Sequence, residues 1–152
     1  MSKEQVDKIY RFTEDGIHGF FNDHRFLSNF HLCPILIQGI VYPSSEHAYM
    51  AMKTDDHDLK LFISQLATPA DARKEGQKIK LRPDWEFYRV AAMQHVLTIK
   101  FRDPVLKQLL IATGDRYLEE TNWWKDVFWG VCNGAGLNML GKTLMLVRGT
   151  LT

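Results

Sequence analysis

The sequence is poor in cysteine and has no long apolar run. Its only two cysteines, Cys33 and Cys132, lie far apart and outside any Cys-x-x-Cys pair. This scarcity excludes a disulfide-stapled secreted domain and favours a compartment that keeps thiols reduced. No segment reaches the roughly 18 apolar residues of a membrane span, and the first ten residues lack the apolar core of a secretory signal. We therefore expect a cytoplasmic protein without a membrane anchor.

Neither sign of charge dominates the sequence. Nineteen Lys+Arg residues against eighteen Asp+Glu leave a net charge of +1, so no overall field favours nucleic acid or a membrane surface. The six histidines never recur at i, i+4, and no cluster has the spacing of a zinc site. We expect no metal and no cofactor. The length of 152 residues, with 45% hydrophobic and 24% charged residues, predicts a single globular domain over residues 1–152.

The residue pattern predicts a compact, multi-helical α+β domain, mostly α, with a small N-terminal antiparallel β element. Residues 1–42 are predicted to be rich in strand, with a hairpin over 35–42 that turns at Gln38-Gly39. Predicted helices run from Ser44 to Lys53, along the stripe Leu59, Phe62, Ile63 and Leu66, and from Pro69, Pro83, Pro104 and Asn138. A short strand is predicted within 116–121.

The segment 122–137 is unusual in combining tryptophan with glycine. Trp123, Trp124 and Trp129 fall in a loop that also carries three glycines, and such loops often serve function because glycine lets the backbone approach a ligand. The alternative is an aromatic mini-core beneath the loop. Gly141 interrupts the predicted last helix at a cost of about 1 kcal/mol against alanine, so we expect close packing or a ligand there.

Five polar or aromatic residues, one of them in this loop, each have two interpretations. Glu46 stands in the first turn of a predicted helix, where free backbone N–H groups favour an ionised carboxylate, but glutamate is common in first turns. By sequence alone Asp126 is equally a solvated loop acid. Trp85 is equally a core residue, and Lys53 and Arg82 would pass as solvated surface charges.

Four motifs resemble, in order and spacing, those of the YbiA-like or NADAR family. They are Ser28-Asn29-Phe30, Pro43 to Lys53 with Ser-Glu46-His at its start, Leu81-Arg82-Pro-Asp-Trp85, and Phe128-Trp129-Gly130 running on through Asn138 to Met145. The resemblance covers residues 20–150. It implies a compact, mostly helical fold without a metal, and N-glycosidase activity on ribosylated heterocycles. The substrates it implies are ribosylamino-pyrimidine phosphate intermediates of riboflavin synthesis, or guanine that carries ADP-ribose.

Motif position then assigns the site residues. The resemblance implies that Glu46 and Asp126 are catalytic. The residues it implies for substrate binding are Asn29, Lys53, Arg82, Trp85, Trp129, Gly130 and Asn138. The sequence departs from the family pattern at Gln77, where many relatives have arginine, and at 131–133, which is often richer in glycine and acid. These departures bear on the substrate and leave the reaction class unchanged.

The chemistry of C1′–N cleavage suits these residue types. The sugar passes through an oxocarbenium-like state, which needs a nearby anion, a water aimed at C1′ and help for the departing base. We hypothesise that Glu46 orients or deprotonates the water, or acts briefly as the nucleophile. Asp126 would hold the ribose hydroxyls or assist proton transfer. The stereochemical outcome stays open because it depends on the distance between the two acids.

The other residues would bind the substrate. Trp85 or Trp129 would stack on the flat base, and Arg82 and Lys53 would contact its phosphate. Trp123 and Trp124 are predicted to pack under the loop. The expected partner is a small ribosylated or ADP-ribosylated base, or ADP-ribosylated DNA or RNA.

Two alternatives to the enzyme stay open at this stage. One is a non-catalytic sensor of ADP-ribose or a nucleotide, which would tolerate loss of Glu46. The other is a helical nucleic-acid-binding or scaffold domain, whose binding would be steeply salt-dependent.

Overall fold

Short helices joined by tight turns make up most of the regular structure, which a computed structural model describes for residues 2–151. The helices are α1 (Lys3–Ile9), α2 (Ser45–Ala51), α3 (His57–Ser64), α4 (Pro69–Gly76), α5 (Trp85–Lys100), α6 (Pro104–Ala112) and α7 (Met139–Gly149), with a 3₁₀ helix at Asn22–Leu27. The strands are β1 (Arg11–Phe12), β2 (Gly16–His18), β3 (Leu32–Ile37), β4 (Ile40–Ser44), β5 (Tyr117–Glu119), β6 (Thr121–Asn122) and β7 (Val131–Cys132).

The described residues divide into two compact units. The central unit comprises residues 29–103, and the terminal unit comprises residues 2–28 together with 104–151. Across both, none of the helices in residues 2–151 is long and apolar enough to cross a bilayer.

A β-hairpin opens the central unit. Strands β3 and β4 pair antiparallel with Leu36 opposite Val41 and Ile37 opposite Ile40. Gln38 and Gly39 form the turn with φ of 51° and 80°, the left-handed geometry of a two-residue hairpin loop. This confirms the predicted hairpin.

Capping residues set the helix starts of the central unit. The Ser44 hydroxyl accepts a hydrogen bond from the His47 backbone N–H at the start of α2, and Thr68 caps α4 one residue before Pro69, which confirms both predicted starts. Helix α5 begins at Trp85, two residues beyond the predicted start at Pro83. Its N-cap residue, Asp84, makes no side-chain capping bond.

The four apolar residues predicted to form one stripe of α3 do not form a buried face. Ile63 is fully buried, but Phe62 is 46% exposed, and Leu59 and Leu66 are only half-buried. Helix α3 contacts α2, α4 and β4, and Ile63 alone of its residues is buried. The spacing of apolar residues indicates which side of a helix they share, but it does not indicate how much of that side is buried in a short helix.

The terminal unit is built on a parallel strand pair that joins distant parts of the chain. Strand β2 pairs antiparallel with β1 and parallel with β5, so that Ile17 lies opposite Leu118. Both side chains are fully buried. Helix α7 packs on β5 through the predicted face, whose residues Leu140, Leu144 and Val147 are buried. The strand predicted within 116–121 is divided at Glu120 between β5 and β6.

The prediction that the first 42 residues are rich in strand is wrong for 3–9 and 22–27, and Met1 lies outside the described residues. Helix α1 begins with a capping box, in which the Ser2 hydroxyl accepts from the Gln5 N–H and the Gln5 side chain accepts from the Ser2 N–H. Only Val6 of α1 is buried. A helix this short and polar has no apolar period to reveal it.

Candidate functional site

Asn29 fixes the start of the helix that carries Glu46. Its backbone carbonyl accepts from the Glu46 N–H at 3.0 Å, and its side-chain Oδ1 accepts from the Ser45 hydroxyl at 2.9 Å. Its Nδ2 points at the sulfur of Met93, 3.6 Å away. Asn29 is buried, so both ends of its amide are engaged inside the protein. These contacts make it a positioning residue for Glu46.

Glu46 lies in the first turn of α2, and Lys53 lies two residues beyond the end of that helix, which therefore stops short of the predicted end at Lys53. Glu46 is buried, with 7% of its surface exposed. The Lys53 Nζ donates to the Gly76 carbonyl at 3.3 Å. Burial lowers the pKa of Lys53, and the charge of Glu46 acts against this and raises it. The two side chains therefore interact electrostatically within the central unit.

His47 is a buried residue that the sequence analysis did not single out, although it completes the Ser-Glu-His motif. Its Nε2 lies 3.0 Å from the Leu66 carbonyl, and its Nδ1 lies 2.7 Å from the Ser44 hydroxyl. A carbonyl can only accept, so Nε2 carries the proton and Nδ1 accepts from Ser44. Burial lowers the pKa of His47, which favours this neutral form. The hydrogen bonds between His47 and Ser44 hold the first turn of α2 in place.

Arg82 is already paired with acids of its own unit. Its Nε donates to Asp84 Oδ1 at 2.6 Å and its Nη2 to Asp84 Oδ2 at 3.1 Å, while Asp55 lies 3.5 Å from Nη1. The guanidinium also stacks over the Tyr88 ring at 4.2 Å. The hydrogen bond to Asp84 raises the pKa of Arg82. A phosphate at Arg82 would have to share the guanidinium with these carboxylates.

Trp85 has the surroundings of a core aromatic. Only 6% of its surface is exposed. Its ring centroid lies 5.4 Å from that of Tyr49 on α2 and 6.2 Å from that of Tyr88, the latter edge-on. Its predicted role in stacking on a base stays a prediction.

Asp126 shapes its own loop in the terminal unit. One carboxylate oxygen, Oδ1, accepts from the backbone N–H groups of Phe128 at 3.2 Å and Trp129 at 2.9 Å. The Asn122 side chain pairs with the Asp126 backbone, donating to its carbonyl at 2.9 Å and accepting from its N–H at 3.1 Å. Asn122 therefore positions Asp126. Nothing in the sequence pattern indicates Asn122, because a single asparagine at this position belongs to no recognisable motif.

Asn138 bonds to residues 117–120 through its side chain and to Gly130 through its backbone. Its Oδ1 accepts from the Glu120 N–H at 3.0 Å, and its Nδ2 donates to the Leu118 carbonyl at 2.9 Å and the Tyr117 hydroxyl at 3.1 Å. Its own N–H donates to the Gly130 carbonyl. Asn138 occupies the predicted cap position of α7, but with φ of 54° and no side-chain capping bond. Its amide holds strand β5 instead.

Close backbone approach explains two glycines of this region. A Cβ at Gly130 would clash with the Glu120 carbonyl and the Asn122 amide, and a Cβ at Gly141 would clash with the Leu118 carbonyl and the Asn138 amide. The packing expected at Gly141 is confirmed.

The tryptophans of the loop contact other rings of the terminal unit. Trp129 is half-buried and stands perpendicular to Phe128, with centroids 4.9 Å apart. Trp123 stacks on Phe21 at 5.7 Å and 14° and meets Trp124 edge-on at 5.0 Å. The predicted packing of Trp123 and Trp124 therefore has definite ring partners.

The structure thus places the predicted residues in two sets, each linked by contacts within one unit. The central set is Asn29, Glu46, Lys53, Arg82 and Trp85; the terminal set is Asp126, Trp129, Gly130 and Asn138. Within residues 2–151, no three His, Cys, Asp or Glu side chains are grouped as a metal ion would require.

A family model described as the NADAR domain matches residues 12–152. The chain belongs to the NADAR family. The match runs through both units and spans the motifs on which the resemblance depended. The prediction of one domain over 1–152 stays a prediction.

Two curated relatives illustrate the range of NADAR proteins. The chain is 38% identical over 144 residues to the riboflavin biosynthesis protein VVA0006 of Vibrio vulnificus, covering 92% of this chain and 37% of that one. It therefore spans little more than a third of this relative. It is 32% identical over 151 residues to the N-glycosidase YbiA of Escherichia coli strain K12, covering 95% of this chain and 94% of YbiA.

The fold of this NADAR chain is similar to that of a solved structure. The NMR structure of E. coli YbiA matches with a TM-score of 0.80 at 29% identity, covering 99% of this chain and 93% of YbiA. This confirms the predicted α+β, mostly α, YbiA-like fold.

Proposed function

We propose that this NADAR protein is an N-glycosidase that hydrolyses the C1′–N bond between a ribose-type sugar and a heterocyclic base. The observation that carries the proposal is the buried Glu46, whose backbone is fixed at the start of α2 by Asn29. The printed name of the E. coli relative, an N-glycosidase, supports the same reaction class.

Glu46 supplies the anion that the reaction requires. As the C1′–N bond breaks, positive charge develops on the sugar, and a fixed carboxylate in a site shielded from water stabilises that charge more strongly than a solvated one. The same carboxylate orients or deprotonates the attacking water, or forms a transient bond to C1′. Because Asn29 fixes the backbone at Glu46, we expect the carboxylate to need little reorganisation during the reaction.

Lys53 tunes this carboxylate and binds substrate. Its positive charge favours the ionised form of Glu46, and its ammonium group also suits a phosphate on the sugar. Arg82, oriented by Asp84 and stacked on Tyr88, offers a second cation for that phosphate.

The terminal set contributes to binding. Asp126 uses one oxygen to hold its loop, and the carboxylate accepts hydrogen bonds from ribose hydroxyls or assists proton transfer. Trp129 or Trp85 provides the ring surface for the base. Gly130 and Asn138 hold the loop in shape.

The substrate is a small ribosylated base in the cytoplasm, and the reaction needs no metal or cofactor. The name of the Vibrio relative favours a ribosylamino-pyrimidine phosphate of riboflavin synthesis. ADP-ribosylated guanine, free or within DNA or RNA, is the second substrate to test.

The experiment incubates purified protein with each substrate and follows release of the base or of ADP-ribose by chromatography. Glu46→Gln keeps the size of the side chain and removes its charge, so we expect a loss of turnover of about a thousandfold. The matched control is Glu86→Gln, because Glu86 is an exposed acid in the first turn of α5. It should cleave like the wild type.

Two results would contradict the proposal. Unchanged turnover in Glu46→Gln would remove Glu46 from the mechanism. Absence of cleavage of either substrate by the wild type, combined with tight binding of ADP-ribose, would favour the non-catalytic sensor.

A further inference from the structure

A groove in the terminal unit lies outside both sets of predicted residues. Its volume is about 460 Å³, within the size range of small-molecule sites. Its walls come from the end of α1, from β1 and β2, from the loop after β6 and from the turn after β7. The lining residues used below are Lys8, Arg11, His18, Trp123, Asn133 and Gly134.

The charge of the groove is one-sided. Three of its lining residues are basic and none is acidic. Lys8 pairs with Glu4 at 3.1 Å, and His18 with Glu119 at 3.2 Å. Within residues 2–151, Arg11 has no carboxylate oxygen within 4 Å. Arg11 is therefore the uncompensated cation of the groove.

Arg11 is held in place with donors to spare. Its guanidinium donates to the carbonyls of Asp7 at 3.2 Å, Lys8 at 3.2 Å and Tyr10 at 2.8 Å. A guanidinium has five N–H donors, so these three bonds leave two for a ligand. Because the bonds orient the group, less side-chain freedom is lost when an anion binds.

Other lining residues of the groove provide a flat ring and open backbone. Trp123 stacks on the buried ring of Phe21 and meets Trp124 edge-on, so its indole is held in place by two aromatic neighbours. Asn133 and Gly134 form a two-residue turn, with φ of 52° and 78°. Neither N–H is bonded to any of the described residues, and a Cβ at Gly134 would meet open space.

We propose that this groove binds a phosphorylated heteroaromatic compound of the nucleoside monophosphate class. Its phosphate contacts Arg11, with Lys8 adding charge, and its ring lies against Trp123. Charge-assisted hydrogen bonds from arginine are among the stronger contacts to phosphate, and stacking of a base on an aromatic side chain adds to them. The inference is independent of whether Glu46 performs hydrolysis.

The groove also has a direct link to Asp126. Asn122 lines it and holds the Asp126 backbone through two hydrogen bonds. A ligand in the groove is therefore one residue away from the loop that carries the terminal set.

The test is an NMR titration of the ¹⁵N-labelled protein with adenosine 5′-monophosphate. We expect saturable shifts of the Gly134 amide and the Trp123 indole N–H. Arg11→Gln should weaken this binding about tenfold, the loss expected for one charge-assisted hydrogen bond. Lys74→Gln, which removes an exposed cation from α4 in the central unit, should leave it unchanged.

Two further ligands separate the parts of the proposal. Adenosine lacks the phosphate and ribose 5-phosphate lacks the ring, so each should shift the same two signals only at about tenfold higher concentration. Shifts confined to residues outside the groove would overturn the proposal. So would equal affinity of AMP and adenosine, or wild-type affinity in Arg11→Gln.

Discussion

The two sets of predicted residues differ in what their polar groups do. In the central unit, Asn29 and His47 hold the start of α2 by hydrogen bonds, and the charges of Glu46 and Lys53 interact electrostatically. In the terminal set, the polar atoms of Asp126 and Asn138 bond to the main chain of their own unit.

We infer from this difference that some residues of one family signature serve the reaction and others stabilise the fold. A motif position is informative about function only after its hydrogen bonds are known. The central set places a charge in a buried position, whereas the terminal set maintains a loop and a close helix–strand contact. We therefore expect substitution of Asn138 to appear mainly as lost stability and substitution of Glu46 as lost rate. Asp126, which holds its loop and also has a proposed role in the reaction, tests both effects.

The largest loss of stability is expected at Gly141. Gly141→Ala puts a methyl group against the Leu118 carbonyl and the Asn138 amide, and backbone cannot easily move aside. We expect about 3 kcal/mol of destabilisation, the upper part of the range for overpacking, measured by urea unfolding. Gly149→Ala is the control in the same helix. Nothing lies within 4 Å of its added Cβ, so it should be neutral or stabilising by up to about 1 kcal/mol. Equal effects of the two variants would contradict the close packing.

A smaller loss of stability is expected on substitution of Asn138, and it tests whether this residue of the terminal set stabilises the fold or binds substrate. Asn138→Ala removes three side-chain hydrogen bonds at a buried position and leaves buried partners unsatisfied. We expect about 2 kcal/mol of destabilisation with little change in KM for the cleaved substrate. A stable variant with a strongly raised KM would instead assign Asn138 to substrate binding.

Asp126 allows structure and activity to be separated with two variants. Asp126→Asn keeps an oxygen that can accept from the Trp129 N–H, whereas Asp126→Ala keeps none. The alanine variant should lose about 1 kcal/mol of stability and the asparagine variant less. A fall in kcat for Asp126→Asn at near-normal stability would assign the charge to catalysis. A wild-type kcat in Asp126→Asn would show that the charge of Asp126 is not needed for catalysis and that the residue serves only to hold its loop.

The smallest effect is a pH dependence shared by the two units. Burial lowers the pKa of His47 in the central unit and of His24 in the terminal unit. In the unfolded chain these groups bind a proton near pH 6.5. Below that pH the unfolded state therefore holds more protons than the folded state, and the free energy of unfolding should fall as pH drops from 7.5 to 5.5.

Urea unfolding at several pH values checks this dependence. His47→Gln and His24→Gln should each reduce the slope of stability against pH. His95→Gln, at an exposed position of α5, is the control and should retain the wild-type slope. An unchanged slope in both buried variants would contradict this account.

Local signals in the sequence predicted much of the central unit. The Gln38-Gly39 turn and the caps Ser44 and Thr68 act over a few residues, so their chemistry is visible in a short window. Helix α1 also carried such a signal, the Ser2–Gln5 capping box, but too few apolar residues followed it to indicate a helix.

Long-range contacts could not be predicted in the same way. The parallel pairing of Ile17 with Leu118 and the bonds from Asn138 back to strand β5 depend on residues far apart in sequence. The spacing of motifs indicated that Asn138 matters but not that its amide serves the framework. Likewise, the groove beside Arg11 combines segments that no single motif contains.

The pairing of β2 with β5 also has a consequence for the order in which the chain acquires structure. On the ribosome, β1 and β2 emerge early and can pair with each other, but the parallel partner of β2 is absent until residues 117–119 have been synthesised. The central unit, whose residues are continuous in the chain, has all its segments available earlier. Residues 2–28 therefore stay without their final contacts while most of the protein is synthesised. Phe20 and Phe21, which are buried in the finished fold, are exposed during that time. Such delayed pairing exposes apolar surface during synthesis.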